Sequence, residues 1–208
     1  MGAAVRIGLD FDNTLAGYDD VFASAGAALG LLPASFAGCK RDVRETLRSQ
    51  PEGESAWMRL QGRVYGMHMH EAALIAGADG FLRSCRARGA EVFVVSHKSR
   101  FGHFDPDRVD LREAALAWME AQGFFAADGF GIPRRNVFFA DTRAGKVARI
   151  AALGCDVVVD DLEEVFREPG FPAGVRKILF DPASGARPES GVLALPSWKD
   201  IEAHVFAD

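Results

Sequence analysis

The chain has few cysteines, no long basic run and no apolar run long enough to span a bilayer. Each absence removes a class of protein. Its three cysteines, Cys39, Cys85 and Cys155, are odd in number and widely spaced. No zinc-ligand spacing emerges, and a reduced, cytoplasmic compartment is the simplest expectation. A net charge of −5 without a basic block argues against a nucleic-acid polymer or an anionic membrane as main partner. A few local cations would still suffice for a small phosphorylated substrate. With no membrane span and a first strand starting close to the N-terminus, neither a bilayer anchor nor a signal peptide is expected. There is no internal repeat and no low-complexity segment. What remains is 208 residues with a hydrophobic fraction of 49%, enough for one cored domain or a domain carrying a small insert.

The most informative stretch is Val5-Arg6-Ile7-Gly8-Leu9-Asp10-Phe11-Asp12-Asn13-Thr14-Leu15. An apolar, strand-like run ends in two carboxylates two residues apart. Alternation along a strand lets Asp10 and Asp12 point to one side while Phe11 turns into the fold. Two like charges there repel, so a cation or a reaction is expected to need them. An aspartate-rich turn closing a strand is the plain alternative. A calcium loop is excluded because Leu15 stands where the turn glycine belongs and Val21 where the last glutamate belongs.

Residues 16–79 read as helical. Asp19-Asp20 open an alanine-rich segment that Pro33 stops, a second segment runs from about Gly38 to Ser49, and a third begins near Ser55 with Trp57, Leu60, Val64 and Met67 at helical spacing. Arg41, Arg44 and Arg48 share a face, read as solvated. Gly62 and Gly66 sit within a helical pattern at a cost of about 1 kcal/mol each relative to alanine, which asks for close packing, substrate access or a hinge. His68 and His70 do not share a helical face, which speaks against a metal site, and the neighbouring methionines read as core.

A helix from Asp79 to a glycine cap at Gly89 follows, then a buried strand, Ala90 to Ser96. The loop 100–109 is long for a β–α connection and reads as a flap on the substrate side. Asp110 and Glu113 form a capping box for a helix that ends at Gly123. Asn136–Ala140 is a third strand. Thr142 caps the next helix, which places Lys146 in a first turn where a cation opposes the helix dipole; a broken local rule suggests function. Cys155–Leu162 contains a fourth strand and a second acidic pair, Asp160-Asp161. Lys177–Phe180 is a fifth strand, followed by loop and a short helix from about Ser197.

These residues resemble the four motifs of the haloacid dehalogenase (HAD) superfamily, phosphatase type. Asp10-x-Asp12-x-Thr14 after a hydrophobic strand resembles the first motif, Ser96 at a strand end the second, Lys146 at a helix start the third, and Asp160-Asp161 the fourth. The resemblance implies a Rossmann-like α/β fold with a parallel sheet of about five strands flanked by helices. It implies a core of residues 1–15 and 80–208, and a small helical cap insert, 16–79, that largely sets specificity. Alternating β and α elements would bring all four motifs to the C-terminal strand ends.

The chemistry it implies is a magnesium-dependent phosphatase acting on a small phosphomonoester. Asp10 would be the nucleophile, forming an aspartyl-phosphate, and Asp12 the general acid and base. Lys146 would bind nucleophile and phosphoryl group, Ser96 would donate to a phosphoryl oxygen, and Thr14 would help orient Asp12. His97 and Lys98, next to Ser96, are further substrate-contact candidates. Magnesium would be held by Asp10 and Asp160, by the Asp12 carbonyl, and by Asp161 directly or through water. Dehalogenases of the superfamily lack an acid at the position of Asp12, and its transporting ATPases carry Asp-Lys-Thr-Gly-Thr with large membrane domains. A phosphomutase using the same residues, or a non-catalytic binding or regulatory protein of this fold, is the alternative. A receiver domain fits poorly, since its phosphorylated aspartate lies on a later strand.

Overall fold

The computed structural model describes residues 4–207. Its elements, in chain order, are β1 (Arg6–Leu9), β2 (Ala16–Gly17), α1 (Asp19–Ala28), α2 (Lys40–Arg48), α3 (Gly53–Tyr65), β3 (Ala73–Leu74), α4 (Ala78–Ala87), β4 (Glu91–His97), α5 (Leu111–Ala121), β5 (Val137–Ala140), α6 (Arg143–Leu153), β6 (Val157–Asp160), α7 (Glu163–Phe166), β7 (Arg176–Phe180), β8 (Val192–Leu195) and α8 (Trp198–Val205). Short 3-10 turns occupy Met69–Glu71 and Arg134–Asn136.

Six strands form one parallel sheet in the order β5-β4-β1-β6-β7-β8. The inner strands read as continuous apolar runs because helices cover both faces of a parallel sheet. Thus Val92 to Ser96 of β4 and all four residues of β6 are buried. Phe93, Val95, Ile150, Cys155, Val158, Phe166 and Leu179 form a core cluster that joins β4, β6 and β7 to α6 and α7. Gly8 leaves room for it: a methyl group there would lie 3.2 Å from both Cys155 Sγ and Val158 Cγ2. The chain starts at β1, builds outward through β4 to β5, then crosses back to lay β6 on the other side of β1. Strand order therefore reverses between β1 and β6, and ligands of such sheets bind at the C-terminal ends beside the reversal.

The sheet has six strands where about five were expected. The extra one, Val192–Leu195, pairs in parallel with β7 through Lys177 to Phe180. It is a short edge strand after a glycine-, proline- and serine-rich stretch; the apolar run Val192–Leu195 between Gly191 and Pro196 is a local signal that the sequence reading passes over as loop. Ser197 then caps α8 by accepting from Asp200 N, and Trp198, fully buried, packs its ring 4.9 Å from Phe81 and 5.7 Å from Phe180.

The chain divides into two compact units. The first holds the sheet: the described residues through Ala16, Leu74–Lys98, and those from Gln122 onward. The second is helical and contains Gly17–Ala73 together with Ser99–Ala121. The chain passes between them at the short paired strands β2 and β3 and again after Lys98 and Ala121. The helical unit thus joins its first stretch, Gly17–Ala73, to a second that holds the loop 100–109 and α5.

Contacts inside the helical unit explain that join. A Cβ on Gly102 would lie 2.5 Å from Gly62 Cα, so the loop backbone rests directly on α3. Gly62 is the residue that permits it. Arg63, one residue on, pairs with Asp105 at 3.3 Å and with Asp107. Asp105 is fully buried there, and Asp110 caps α5 by accepting from Arg112 N and Glu113 N. Trp57 stacks on Phe22 at 5.1 Å, while Tyr18 and Tyr65 meet Phe22 edge-on. Met69 is core, as read from sequence, and accepts from the Tyr18 hydroxyl at 3.3 Å; Met67 is exposed instead, because α3 ends at Tyr65. His68 and His70 turn to Glu71 and to the Met67 carbonyl. Among the described residues no helix is long and apolar enough to cross a membrane.

Candidate active site

Asp10 leaves β1 where its N–H still donates to the Val159 carbonyl of β6 at 2.9 Å. Phe11 is buried, and its carbonyl accepts from both Leu15 N and Ala16 N. The chain closes tightly on itself there, with Asn13 N donating to Ala16 O at 2.8 Å. Closure puts Asn13 at φ +60°, the left-handed region, where asparagine is among the better tolerated residues. Its side chain then reaches Asp161, Nδ2 to Oδ2, at 3.2 Å. Thr14 is fully buried. Its carbonyl accepts from Trp198 Nε1 at 3.2 Å, and its hydroxyl has no hydrogen-bond partner among the described residues.

Lys146 arrives from the other side of β1. Thr142 caps α6, its Oγ1 accepting from Gly145 N at 3.0 Å, and Lys146 sits in the first turn as expected. The lysine is buried; its ammonium bonds Asp10 and lies 2.6 Å from Asp160 Oδ2. Arg143 does not compete for this role: it is partly exposed and faces Glu168 at 3.4 Å. Asp160, with no exposed surface, also accepts from Leu162 N at 3.1 Å.

Carboxylate oxygens of Asp10, Asp160 and Asp161 all lie within 4.8 Å of one another. Burial drives the Asp10 carboxyl well above its ordinary 3.8; Lys146 pulls it back, while Asp160 and Asp161 push it further up. Burial disfavours the charge on Lys146, yet Asp10 and Asp160 beside it hold its ammonium above 10.5. Three acidic side chains against one ammonium form a site short of positive charge. Hard oxygen donors in that condition suit a hard divalent cation, and the donor set fits magnesium.

Asp12 takes a different partner. Lys98 Nζ donates to both of its carboxylate oxygens, at 2.9 and 2.8 Å. Lys98 lies just past β4, where its N–H donates to the Ala140 carbonyl at 3.0 Å. Its side chain is 2% exposed and its ammonium stands 5.4 Å above the Phe11 ring. Ser96, two residues earlier, is buried at the register of Phe139. His97 points outward, with Nε2 3.1 Å from the Asp141 carbonyl.

The sheet therefore brings Asp10, Asp160 and Asp161 within 4.8 Å of one another, sets Lys146 against Asp10 and Asp160, and ties Asp12 to Lys98. Two features escaped the sequence reading. Asn13 carried a usable signal, an asparagine in a tight turn directly after the acidic pair. The Lys98–Asp12 pair carried none, since its members are 86 residues apart.

No family model and no curated relative matches the chain. Solved structures do. A phosphoserine phosphohydrolase-like protein from Francisella tularensis superposes with TM-score 0.60 at 11% identity, covering 97% of this chain and 100% of its own. The putative HAD-hydrolase YfnB from Bacillus subtilis, bound to magnesium, does so with TM-score 0.58 at 10% identity and full coverage of both chains. An L-2-haloacid dehalogenase gives 0.57 at 13% identity, over 99% of this chain and 100% of its own. The chain has the fold of the haloacid dehalogenase-like hydrolases.

Proposed function

We propose that this protein is a magnesium-dependent phosphatase that hydrolyses a small phosphorylated metabolite through an aspartyl-phosphate on Asp10. The observation that carries the reading is the gathering of Asp10, Lys146, Asp160 and Asp161 beside the strand reversal, with a second carboxylate, Asp12, two residues from the nucleophile. The second carboxylate separates this chemistry from carbon–halogen cleavage, which needs no acid at that place. A reducing, cytoplasmic setting accords with the free thiols of Cys39, Cys85 and Cys155.

Asp10, Asp160 and Asp161 would hold magnesium together with the Asp12 carbonyl, and the ion would offset phosphoryl charge and polarise its oxygens. The remaining work falls to side chains. An Asp10 oxygen attacks phosphorus in line, and the bond from phosphorus to the ester oxygen breaks with its electron pair on that oxygen. Asp12, as the carboxylic acid, gives that oxygen a proton and the alcohol leaves. Asp12, now a carboxylate, takes a proton from water as the water oxygen attacks phosphorus. The Asp10–phosphorus bond then breaks, returning the Asp10 carboxylate and inorganic phosphate. Lys146 and the Ser96 hydroxyl stabilise charge on the phosphoryl oxygens during both steps.

The test is phosphate release from a panel of small phosphomonoesters, with magnesium or with EDTA, for wild type and Asp10→Asn. The expected result is magnesium-dependent release by wild type alone. Undiminished release by Asp10→Asn would sink the proposal, as would halide release from 2-haloacids without any phosphate release.

A further inference from the structure

Lys98 is a buried cation that none of the four sequence motifs requires. We propose that it is a positioning residue for Asp12, holding the general acid in place for proton transfer to the leaving oxygen. The proposal rests on the phosphatase reading and assigns to that site a part it did not contain.

Geometry carries the argument. Asp12 is one residue past Phe11, whose ring is locked in the core, but the Asp12 side chain is itself 17% exposed. A short carboxylate at a turn would ordinarily sample several rotamers. Here the ammonium of Lys98 meets both oxygens at nearly equal distances, which fixes the direction in which the carboxylate points. The lysine is itself held at both ends. Its backbone extends the β4–β5 ladder through the Ala140 carbonyl, and its ammonium rests above the Phe11 ring. Lys146 cannot do this work, because its ammonium is spent on Asp10 and Asp160. The site thus divides its lysines: one beside the nucleophile, one beside the acid.

Leaving-group dependence separates this role from a general electrostatic or structural one. An alkyl phosphate needs a proton delivered to its leaving oxygen; p-nitrophenyl phosphate expels a stabilised phenolate and needs little help. Because Asp12 also serves as base in the later attack of water, which is common to all substrates, the comparison is made on kcat/KM, which reads only phosphoryl transfer to Asp10: in Lys98→Met it is expected to fall about 10- to 100-fold for an alkyl phosphate, within the range general acid catalysis contributes. With p-nitrophenyl phosphate kcat/KM should change less than about 3-fold. The double variant Lys98→Met/Asp12→Asn should be no slower on the alkyl phosphate than Asp12→Asn alone, since the lysine acts through the aspartate. Lys98→Arg, whose fork also suits a carboxylate, should recover much of the loss. Lys98→Gln replaces the methionine variant if that one does not fold. Equal losses on both substrates or additive losses in the double variant would each overturn the positioning role. Absence of phosphate release by wild type across the panel would instead overturn the phosphatase reading on which it stands.

Discussion

Replacing Lys146 by methionine removes the ammonium from the most enclosed part of the site while keeping most of the side-chain volume. The lysine side chain is 3% exposed, and its two partners, Asp10 and Asp160, are 8% and 0% exposed. Removing one partner of a buried ion pair costs about 3–5 kcal/mol, because the remaining charge is left without compensation. Burial, Asp160 and Asp161 already disfavour charge on Asp10 in the fold, so the expected loss is at the lower end, about 3 kcal/mol in EDTA. In urea this moves the unfolding midpoint down by about 1–1.5 M, for a slope of about 2–3 kcal/mol per M. Two further arms test the cause. Adding Asp10→Asn to the variant removes one of the stranded carboxylates and should recover about 1–2 kcal/mol. Adding magnesium restores positive charge and should narrow the gap to wild type. A midpoint shift below about 0.3 M, or a double variant less stable than Lys146→Met, would refute the idea that carboxylate repulsion governs the stability of this site.

Two other outcomes follow from the same geometry. Asn13 orients Asp161 and tolerates φ +60°; Asn13→Gly keeps the backbone freedom and loses only the amide. It is expected to raise the magnesium concentration for half-maximal activity about 10- to 100-fold, as loss of an outer-shell partner does, while Asn13→Ala should also lose about 1–2 kcal/mol of stability to backbone strain; an unchanged magnesium requirement in both variants would contradict it. The pH dependence of stability in EDTA should show two declines. Asp10 is held above 3.8 in the fold, so the folded chain binds that proton more tightly: its contribution is present below 3.8 and is lost as pH rises through the folded value. Lys146 is held above 10.5, so its contribution is complete below 10.5 and is lost as pH climbs beyond it. Denaturant midpoints measured against pH should show the acid-range decline in wild type and a flatter profile in Asp10→Asn; identical profiles would refute the assignment to Asp10.

Caps were readable from local chemistry. Thr142 and Ser197 open α6 and α8, Asp110 opens α5, and Gly89, Gly123 and Gly154 follow helices at positive φ. Each rests on a hydrogen bond or a torsion within a few residues of itself. The edge strand β8 was missed although its four residues are all apolar, because so short a run does not show by itself that it pairs, and here β7 supplies the ladder. Gly62 and Gly102 show the intermediate case. A glycine within a helix pattern signalled close packing, but nothing local named the backbone it would touch.

The apolar runs and the helix starts between them were enough to read five of the sheet's six strands and their parallel arrangement. Strand periodicity and helix capping are local, so they survive in one dimension. The partners of the charges were decided in three dimensions. By sequence Lys98 is a substrate-contact candidate, and in the fold it is a buried partner of Asp12; Asn13, to which the sequence reading gives no role, reaches Asp161. A charge is matched by whatever the fold brings within a few ångströms, and here those groups come from segments 86 and 148 residues away. Burial and pairing belong to the packed sheet and loops, and no pattern of neighbours in the chain encodes them.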